Sequence, residues 1–316
     1  MLERSSYTGD MNKLSTAKRC QVLSAIVEGC AVNATARMTG VSVPTILKLV
    51  LDAGDACAEA HHETVRAVKA KRVQADEMWS FVGKKERNAT EADKACGMGD
   101  AWVWMALCAD SKLIVSYLVG PRTAESAAEF MLDLASRLAS RVQLSTDGLR
   151  VYVDAVEEAF GADIDYAQLV KQYSSTIEGQ RRYSPAECCG ALKTPVTGSP
   201  DDAHINTSFI ERANLTVRMN DRRFTRLTNA FSKKLQNHVA SVHLHNFWYN
   251  FGKSHRSLPG KITPAMAAGI ASRFWTMEDV VALIDKREVE AAKAAASAKS
   301  AKPSGLVPVR RSAQIG

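Results

Sequence analysis

The chain has 316 residues, 46% hydrophobic and 24% charged, so it is long and apolar enough to fold around one large core or two modest ones. Its net charge of +7 favours a polyanionic partner. Its seven cysteines include no C-x-x-C pair, which excludes a zinc ribbon or a thioredoxin-type motif, and no apolar run is long enough to cross a bilayer.

The first 54 residues predict a short tail followed by helices. Residues 1–12 contain no apolar stretch typical of a secretory signal and are expected to be disordered. Within residues 13–54, Gly40 marks a tight turn and Ser42 is placed to cap a second helix that ends before Gly54. A short helix, a glycine turn and a second helix have helix-turn-helix spacing, which also occurs in plain helical bundles.

Two polar residues of the second helix, Thr45 and Lys48, lie off the apolar face that includes Ile46 and Val50. In a helix-turn-helix they would reach base edges or phosphate. The charged residues 55–72 that follow predict a helical linker.

From residue 73 the hydrophobic pattern becomes that of strands. Three strands in succession are followed by helix, strand, helix, strand and helix, an order that predicts a mixed-sheet α/β layer. The strands are predicted within residues 73–83, 101–109, 112–120, 142–148 and 163–173.

The remaining segments are predicted from composition. Residues 174–204, rich in Pro, Gly and Cys, predict a long loop before the late helix that carries Glu211. Residues 253–285 predict a C-terminal helical extension, and the Ala/Lys-rich residues 286–316 are expected to be disordered.

Three carboxylates occupy positions of interest in this pattern. Asp76 lies within the first strand, Asp147 at the carboxyl end of the fourth, and Glu211 in the first turns of the late helix. Aspartate is depleted in strands, whereas Asp-Gly is common in turns and a glutamate early in a helix can offset its dipole. If brought together, the three carboxylates could bind two Mg²⁺ ions. A pair of such ions about 3.5–4 Å from each other can catalyse phosphodiester cleavage.

A run of arginines follows Glu211 and would fall within about four turns of a single helix. Arg218 comes seven residues after Glu211, which places it two turns along the same face. A carboxylate site beside such a row would fit a phosphate backbone, although a solvated surface helix can have the same charges. The arginines are Arg212, Arg218, Arg222, Arg223 and Arg226.

Several segments together resemble the DDE transposases of bacterial insertion sequences, most closely the insertion-sequence-one family. They are "QADEMWSFVGKK", "LSTDG" and "TSFIERANLTVRMNDRRFTRLTNAFSKK". "ATARMTGVSVPTILKLVLDAG" resembles that family's helix-turn-helix, and "WYNFGKSHRSLPGKITPAMAAG" resembles the ending common to insertion-element transposases and integrases. The resemblance covers roughly residues 20–270, with the motifs in the family's order.

The resemblance implies a ribonuclease-H-like catalytic core over residues 73–252 and a helix-turn-helix DNA-binding domain over residues 13–54. Asp76, Asp147 and Glu211 would be the catalytic triad and the ligands of Mg²⁺ or Mn²⁺, with two ions expected. Arg218 would match the basic residue seven positions after the family's glutamate.

The implied reaction is metal-dependent cleavage at the ends of the element and joining of the freed 3′-hydroxyl to target DNA. Its partners would be double-stranded DNA, at the terminal inverted repeats and the target, and further copies of the chain, at least a dimer. The expected location is the cytoplasm, on the nucleoid. The chain departs from the family's prototype in lacking an N-terminal zinc ribbon, which leaves open how terminal repeats are recognised. A DNA-binding regulator with an inactive catalytic domain and another ribonuclease-H-like nuclease remain alternatives.

Overall fold

The computed structural model describes residues 13–173, 188–225 and 228–300. The disorder expected for residues 1–12 and 301–316 falls outside these ranges and stays a prediction. Among the described residues, none of the helices combines the length and the apolar composition needed to cross a membrane.

A six-stranded mixed sheet forms the centre of the fold, with strand order β3-β2-β1-β4-β5-β6. β1 runs parallel to β4, and β4 to β5, while the other neighbouring pairs are antiparallel. The predicted mixed α/β arrangement is confirmed, and it is consistent with a ribonuclease-H-like core. The strands are β1 Arg72–Val82, β2 Gly99–Cys108, β3 Ile114–Gly120, β4 Gln143–Thr146, β5 Asp165–Tyr173 and β6 Cys188–Thr197.

The strand β6 lies where a loop over residues 174–204 was expected, so that expectation is wrong for residues 188–197. Among the described strands, β6 pairs only with β5, which places it at an edge of the sheet. An edge strand tolerates the Gly190 and Pro195 that made the segment look like a loop, because half of its backbone groups need no ladder partner. Residues 174–187 are not described.

Helices cover both faces of the sheet. Residues such as Ala75 and Trp104 face α5 and α6, whereas Met78 and Met105 face α7 and α8. The helices are α1 Thr16–Val27, α2 Val32–Thr39, α3 Val43–Thr64, α4 Glu91–Ala95, α5 Ala124–Arg137, α6 Val151–Phe160, α7 Ser208–Asn220, α8 Leu235–Phe251, α9 Pro264–Ala267 and α10 Met277–Ser300.

The N-terminal helices follow the predicted pattern up to the end of α3. Gly40 ends α2 in the left-handed region at φ 71°, and the Ser42 side chain caps α3 by accepting from the backbone N–H of Thr45. However, α3 does not end before Gly54; it continues to Thr64, so most of the expected linker over residues 55–72 belongs to the same helix.

Gly54 has a packing role instead. A Cβ added there would lie 2.4 Å from the carbonyl oxygen of Ala240 in α8. The glycine therefore allows α3 and α8 to approach closely, and this contact joins the N-terminal helices directly to the sheet domain.

The helix α10 extends through residue 300, so the disorder expected from residue 286 is wrong for residues 286–300. Met277, Val280 and Ile284 are buried in the main core. The carboxylate of Asp285 accepts hydrogen bonds from both Nη atoms of the buried Arg19 in α1, at 2.8 and 3.0 Å. Because Arg287 also forms ion pairs with Asp55 and Glu59 of α3, α10 contacts both α1 and α3.

Buried histidines make the fold sensitive to acid. Burial lowers the pKa of His61 to about 3 and that of His238 to about 4, against 6.5 for the free side chain. Between these pKa values and 6.5, the unfolded chain binds more protons than the folded chain. We therefore expect the free energy of unfolding to be highest above pH 6.5 and to decrease as the pH falls towards 4. Each histidine would cost about 2 kcal/mol at pH 5.

Urea unfolding at pH 7 and pH 5 measures this effect. His61→Gln, which can still donate to the Ile114 carbonyl that His61 contacts at 3.2 Å, should reduce the loss between the two pH values. A loss unchanged in His61→Gln would mean that other groups control the acid response.

Candidate metal centre and nucleic-acid interface

Asp76 and Asp147 come together at neighbouring positions of two parallel strands. Gln74 of β1 pairs with Ser145 of β4, so two residues further along the carboxylates lie side by side where β4 ends. Asp147 also accepts the backbone N–H of Leu149 at 3.0 Å, the turn contact that its Asp-Gly sequence allowed. Asp147 therefore both forms the Asp-Gly turn and lies beside Asp76.

A third carboxylate joins them, and it is not the predicted one. Asp76, Glu77 and Asp147 each offer an oxygen within 4.8 Å of the others. Glu77 points to the opposite sheet face from Asp76, where Arg122 Nε donates to it at 2.8 Å and Tyr152 Oη at 3.1 Å. Sequence reasoning missed Glu77, although its place beside Asp76 in a strand was a signal that could have raised the question.

The environment of Asp76 disfavours its charged form. Burial raises its pKa most, and the charges of Glu77, Asp147 and Glu211 add to this, giving about 7. Asn214 of α7 donates to Asp76 Oδ2 at 2.8 Å, which fixes the carboxylate against that helix. The cluster thus concentrates negative charge that a bound cation would offset.

Glu211 lies in the first turn of α7, as predicted, and is close enough to influence the pKa of Asp76. It is not part of the close cluster. Its two carboxylate oxygens both accept from Lys171 Nζ at 2.5 Å, and Thr207 Oγ1 donates to one of them at 2.6 Å. The ammonium group of Lys171, on β5, therefore pairs with the carboxylate that was expected to hold metal.

We expect Lys171→Met to strengthen divalent-ion binding in the DNA-free protein. The ammonium group competes with a cation for Glu211, and the pair is partly exposed, so the dissociation constant for Mn²⁺ should fall by about two- to fivefold. Calorimetric Mn²⁺ titration measures it. Lys193→Met, which removes a lysine paired with Asp202 instead, is the matched control. Weaker Mn²⁺ binding in Lys171→Met would show that Lys171 holds Glu211 in place for the metal.

The donor set fits a hard divalent cation. Mg²⁺ and Mn²⁺ prefer carboxylate oxygens and keep positions open for water and phosphate. Asp76 and Asp147 present such oxygens together, and Glu211 lies on α7, the helix whose Asn214 donates to Asp76.

The arginines after Glu211 do not form one helical row, because α7 ends at Asn220. Arg212 is exposed, Arg218 is half-buried on α7, and Arg222 is exposed in a following 3-10 turn. Arg223 departs furthest from the expectation: its Nη1 donates to Ser232 Oγ at 3.0 Å and burial lowers its pKa. Arg226 lies outside the described residues.

Arg212 belongs to a second basic feature, a cleft of about 500 Å³ between α7 and the residues after α8. We call it the cationic cleft. No acidic side chain lines it within the described part of the chain, although Lys253 pairs with Glu28 at 3.3 Å. Burial lowers the pKa of Lys112 here, against the opposing effect of the Asp110 charge. Its basic lining residues are Lys112, Arg212, Lys253, His255 and Arg256.

Thr45 and Lys48 are both exposed on the first turns of α3. Lys48 Nζ pairs with Asp52 one turn later at 2.7 Å, and Thr45 Oγ1 shares a hydrogen bond of 2.8 Å with Ser42. Ile46 and Val50 are fully buried, so the polar and apolar faces of α3 are those predicted.

No family model matches the chain, and no curated protein matches it. Among solved structures it is similar to a piggyBac transposase synaptic complex with hairpin DNA, with 9% identity, 90% of this chain and 75% of that chain covered, and a TM-score of 0.37. It is also similar to the Mos1 strand transfer complex, with 10% identity, 77% and 79% coverage, and a TM-score of 0.22. At these identities and TM-scores the similarity says nothing about function.

Proposed function

We propose that the chain is a DNA transposase that binds the ends of its element, cleaves them in a metal-dependent reaction and joins the 3′-hydroxyl to target DNA. The observation that carries the proposal is the meeting of Asp76 and Asp147 on adjacent parallel strands, with Glu211 on the helix packed beside them. The residues are those that the resemblance to DDE transposases assigns as the triad.

Asp76, Asp147 and Glu211 would hold Mg²⁺ or Mn²⁺, with two ions expected. When bound, such ions activate the attacking oxygen and stabilise the leaving oxygen of a phosphodiester. The chain's own part is positional: Asn214 orients Asp76, the turn at Leu149 orients Asp147, and Thr207 orients Glu211. Release of Glu211 from Lys171 would make its carboxylate available to a metal ion.

The basic residues would hold the DNA backbone across this site. Arg212 lines the cationic cleft and lies on α7 next to Glu211. A DNA strand that leaves the carboxylates on this side would therefore pass basic side chains. Arg218, Arg222 and Arg223 extend the same proposal, and Arg223 also donates to Ser232. Arg226 remains a proposed DNA contact on the sequence alone.

The helices α2 and α3 would act as the helix-turn-helix that reads the element ends through Thr45 and Lys48. Their exposure on the first turns of α3 supports this, since the N-terminal part of a recognition helix contacts base edges. Joining two ends requires at least two copies of the chain on the DNA, so a dimer or larger assembly is part of the proposal.

Cleavage of a labelled duplex that carries the flanking element's own end tests the proposal, with Mg²⁺ and with EDTA. We expect the parent chain to cut only with metal and Glu211→Gln to bind but not cut. Glu158→Gln, a change of the same kind at an exposed position of α6, should cut as the parent does.

Each other outcome contradicts the proposal in its own way. Binding without cleavage in the parent would favour a regulator with an inactive catalytic domain. Preferential cutting of RNA–DNA hybrids would favour another nuclease. Equal cleavage by the parent and Glu211→Gln would remove Glu211 from the site.

A further inference from the structure

A cluster of three aromatic rings lies at the far end of β1, outside the carboxylate site. The rings of Trp79 and Phe81 are 5.7 Å apart between centroids, and those of Phe81 and Phe231 are 4.6 Å apart. All three side chains are half-buried rather than packed into the core. They line a cleft of about 530 Å³, which we call the aromatic cleft.

Cations lie over the ring faces. Lys85 Nζ is 5.5 Å from the ring centroid of Trp79 and 5.9 Å from that of Phe81, and Lys233 Nζ is 3.4 Å from the ring of Phe231. No acidic residue lines the cleft in the described part of the chain. The three side chains are partly exposed and the charge around them is positive, and a stacking base would take the place of the ammonium groups over the rings.

Large aromatic side chains lose free energy by staying in contact with water, yet these three remain partly exposed. Aromatic faces beside basic groups are the arrangement on which unpaired nucleobases stack while the backbone phosphates pair with lysine. Duplex DNA does not present base faces, so it would gain nothing from these rings.

The aromatic cleft is close to the carboxylates along the chain. Trp79 follows Asp76 by three residues of the same strand, which corresponds to about 10 Å. Because side chains alternate along a strand, Trp79 shares the sheet face of Glu77, whereas Asp76 lies on the opposite face, so the aromatic cleft is a separate site from the carboxylates.

We propose that the aromatic cleft binds an unpaired nucleobase of single-stranded DNA, with stacking on Trp79 and Phe231 and phosphate contacts from Lys85 and Lys233. The choice of DNA as the ligand rests on the proposed function. The binding itself requires neither metal nor cleavage, so it is tested separately from catalysis.

The test uses fluorescein-labelled oligo-dT of about twelve nucleotides and a duplex of the same length, titrated in EDTA and followed by anisotropy. We expect Phe231→Ala to weaken oligo-dT binding by about ten- to a hundredfold, because one stacking contact is lost, and to leave duplex binding within about twofold. Phe274→Ala, at an exposed phenylalanine outside the cleft, should change neither. Quenching of tryptophan fluorescence by oligo-dT should be reduced in Trp79→Phe.

Unchanged oligo-dT binding in Phe231→Ala would overturn the proposal, provided that its thermal unfolding matches the parent. An equal loss for oligo-dT and duplex would overturn it as well, since it would mark a general basic surface. If the parent binds oligo-dT through these rings but never cleaves DNA, this inference stands and the transposase proposal fails.

Discussion

Replacing Asp76 with asparagine is expected to abolish metal-dependent strand cleavage and, at the same time, to stabilise the metal-free protein. Cleavage should fall by about a thousandfold or more, because several kcal/mol of transition-state stabilisation depend on the metal that Asp76 would hold. The free energy of unfolding should rise by about 1–3 kcal/mol, because a buried carboxylate crowded by Glu77 and Asp147 becomes a neutral amide. The amide oxygen can still accept from Asn214.

Single-turnover cleavage and urea unfolding of the same preparation measure the two effects. Asp154→Asn, at an exposed position of α6, should alter neither quantity. Lost cleavage together with lost stability would show that Asp76 mainly supports the fold, and retained cleavage would remove it from the catalytic centre.

Gly54→Ala is expected to destabilise the protein by about 2–4 kcal/mol, although alanine is the better helix former by about 1 kcal/mol. The added Cβ would lie 2.4 Å from the carbonyl oxygen and 2.6 Å from the Cα of Ala240. Both atoms belong to the backbone of α8, so the two helices must separate to admit it.

Urea unfolding compares Gly54→Ala with Asp52→Ala, which lies on the same helix and removes only the surface ion pair with Lys48. The control should lose no more than about 1 kcal/mol. A stabilised Gly54→Ala would mean that α3 and α8 separate readily and that the glycine has no packing role.

The sequence predicted those parts of the fold whose signals are local. Apolar runs predict β1, β2 and β3, and Gly40 and Ser42 predict the turn and the cap between α2 and α3. The opposite case is β6, whose strand character comes from pairing with β5 and is hidden by Gly190 and Pro195. Gly54 was read as a helix end because the close approach of Ala240, far along the chain, leaves no local trace.

The candidate site divides in the same way. The positions of Asp76 and Asp147 followed from the strand pattern, since parallel neighbours bring equivalent residues together. The ion pair of Lys171 with Glu211 joins residues on different elements, and the contacts of Glu77 depend on Arg122 and Tyr152. No spacing rule predicts such pairs, because they are set by how α6, α7 and β5 pack.

The continuity of α3 bears on how this molecule can be recombined. The first turns of α3 carry Thr45 and Lys48, while Ala53 and Cys57 further along share the main core with Leu244 and Phe247 of α8. A chimera that replaces residues 13–54 with the corresponding helices of another protein would have its junction in the middle of α3. It would also expose the apolar side of α8. If α3 reads DNA as proposed, specificity for a new sequence would have to be introduced by substitution on the outward face of α3, with its inward face left intact.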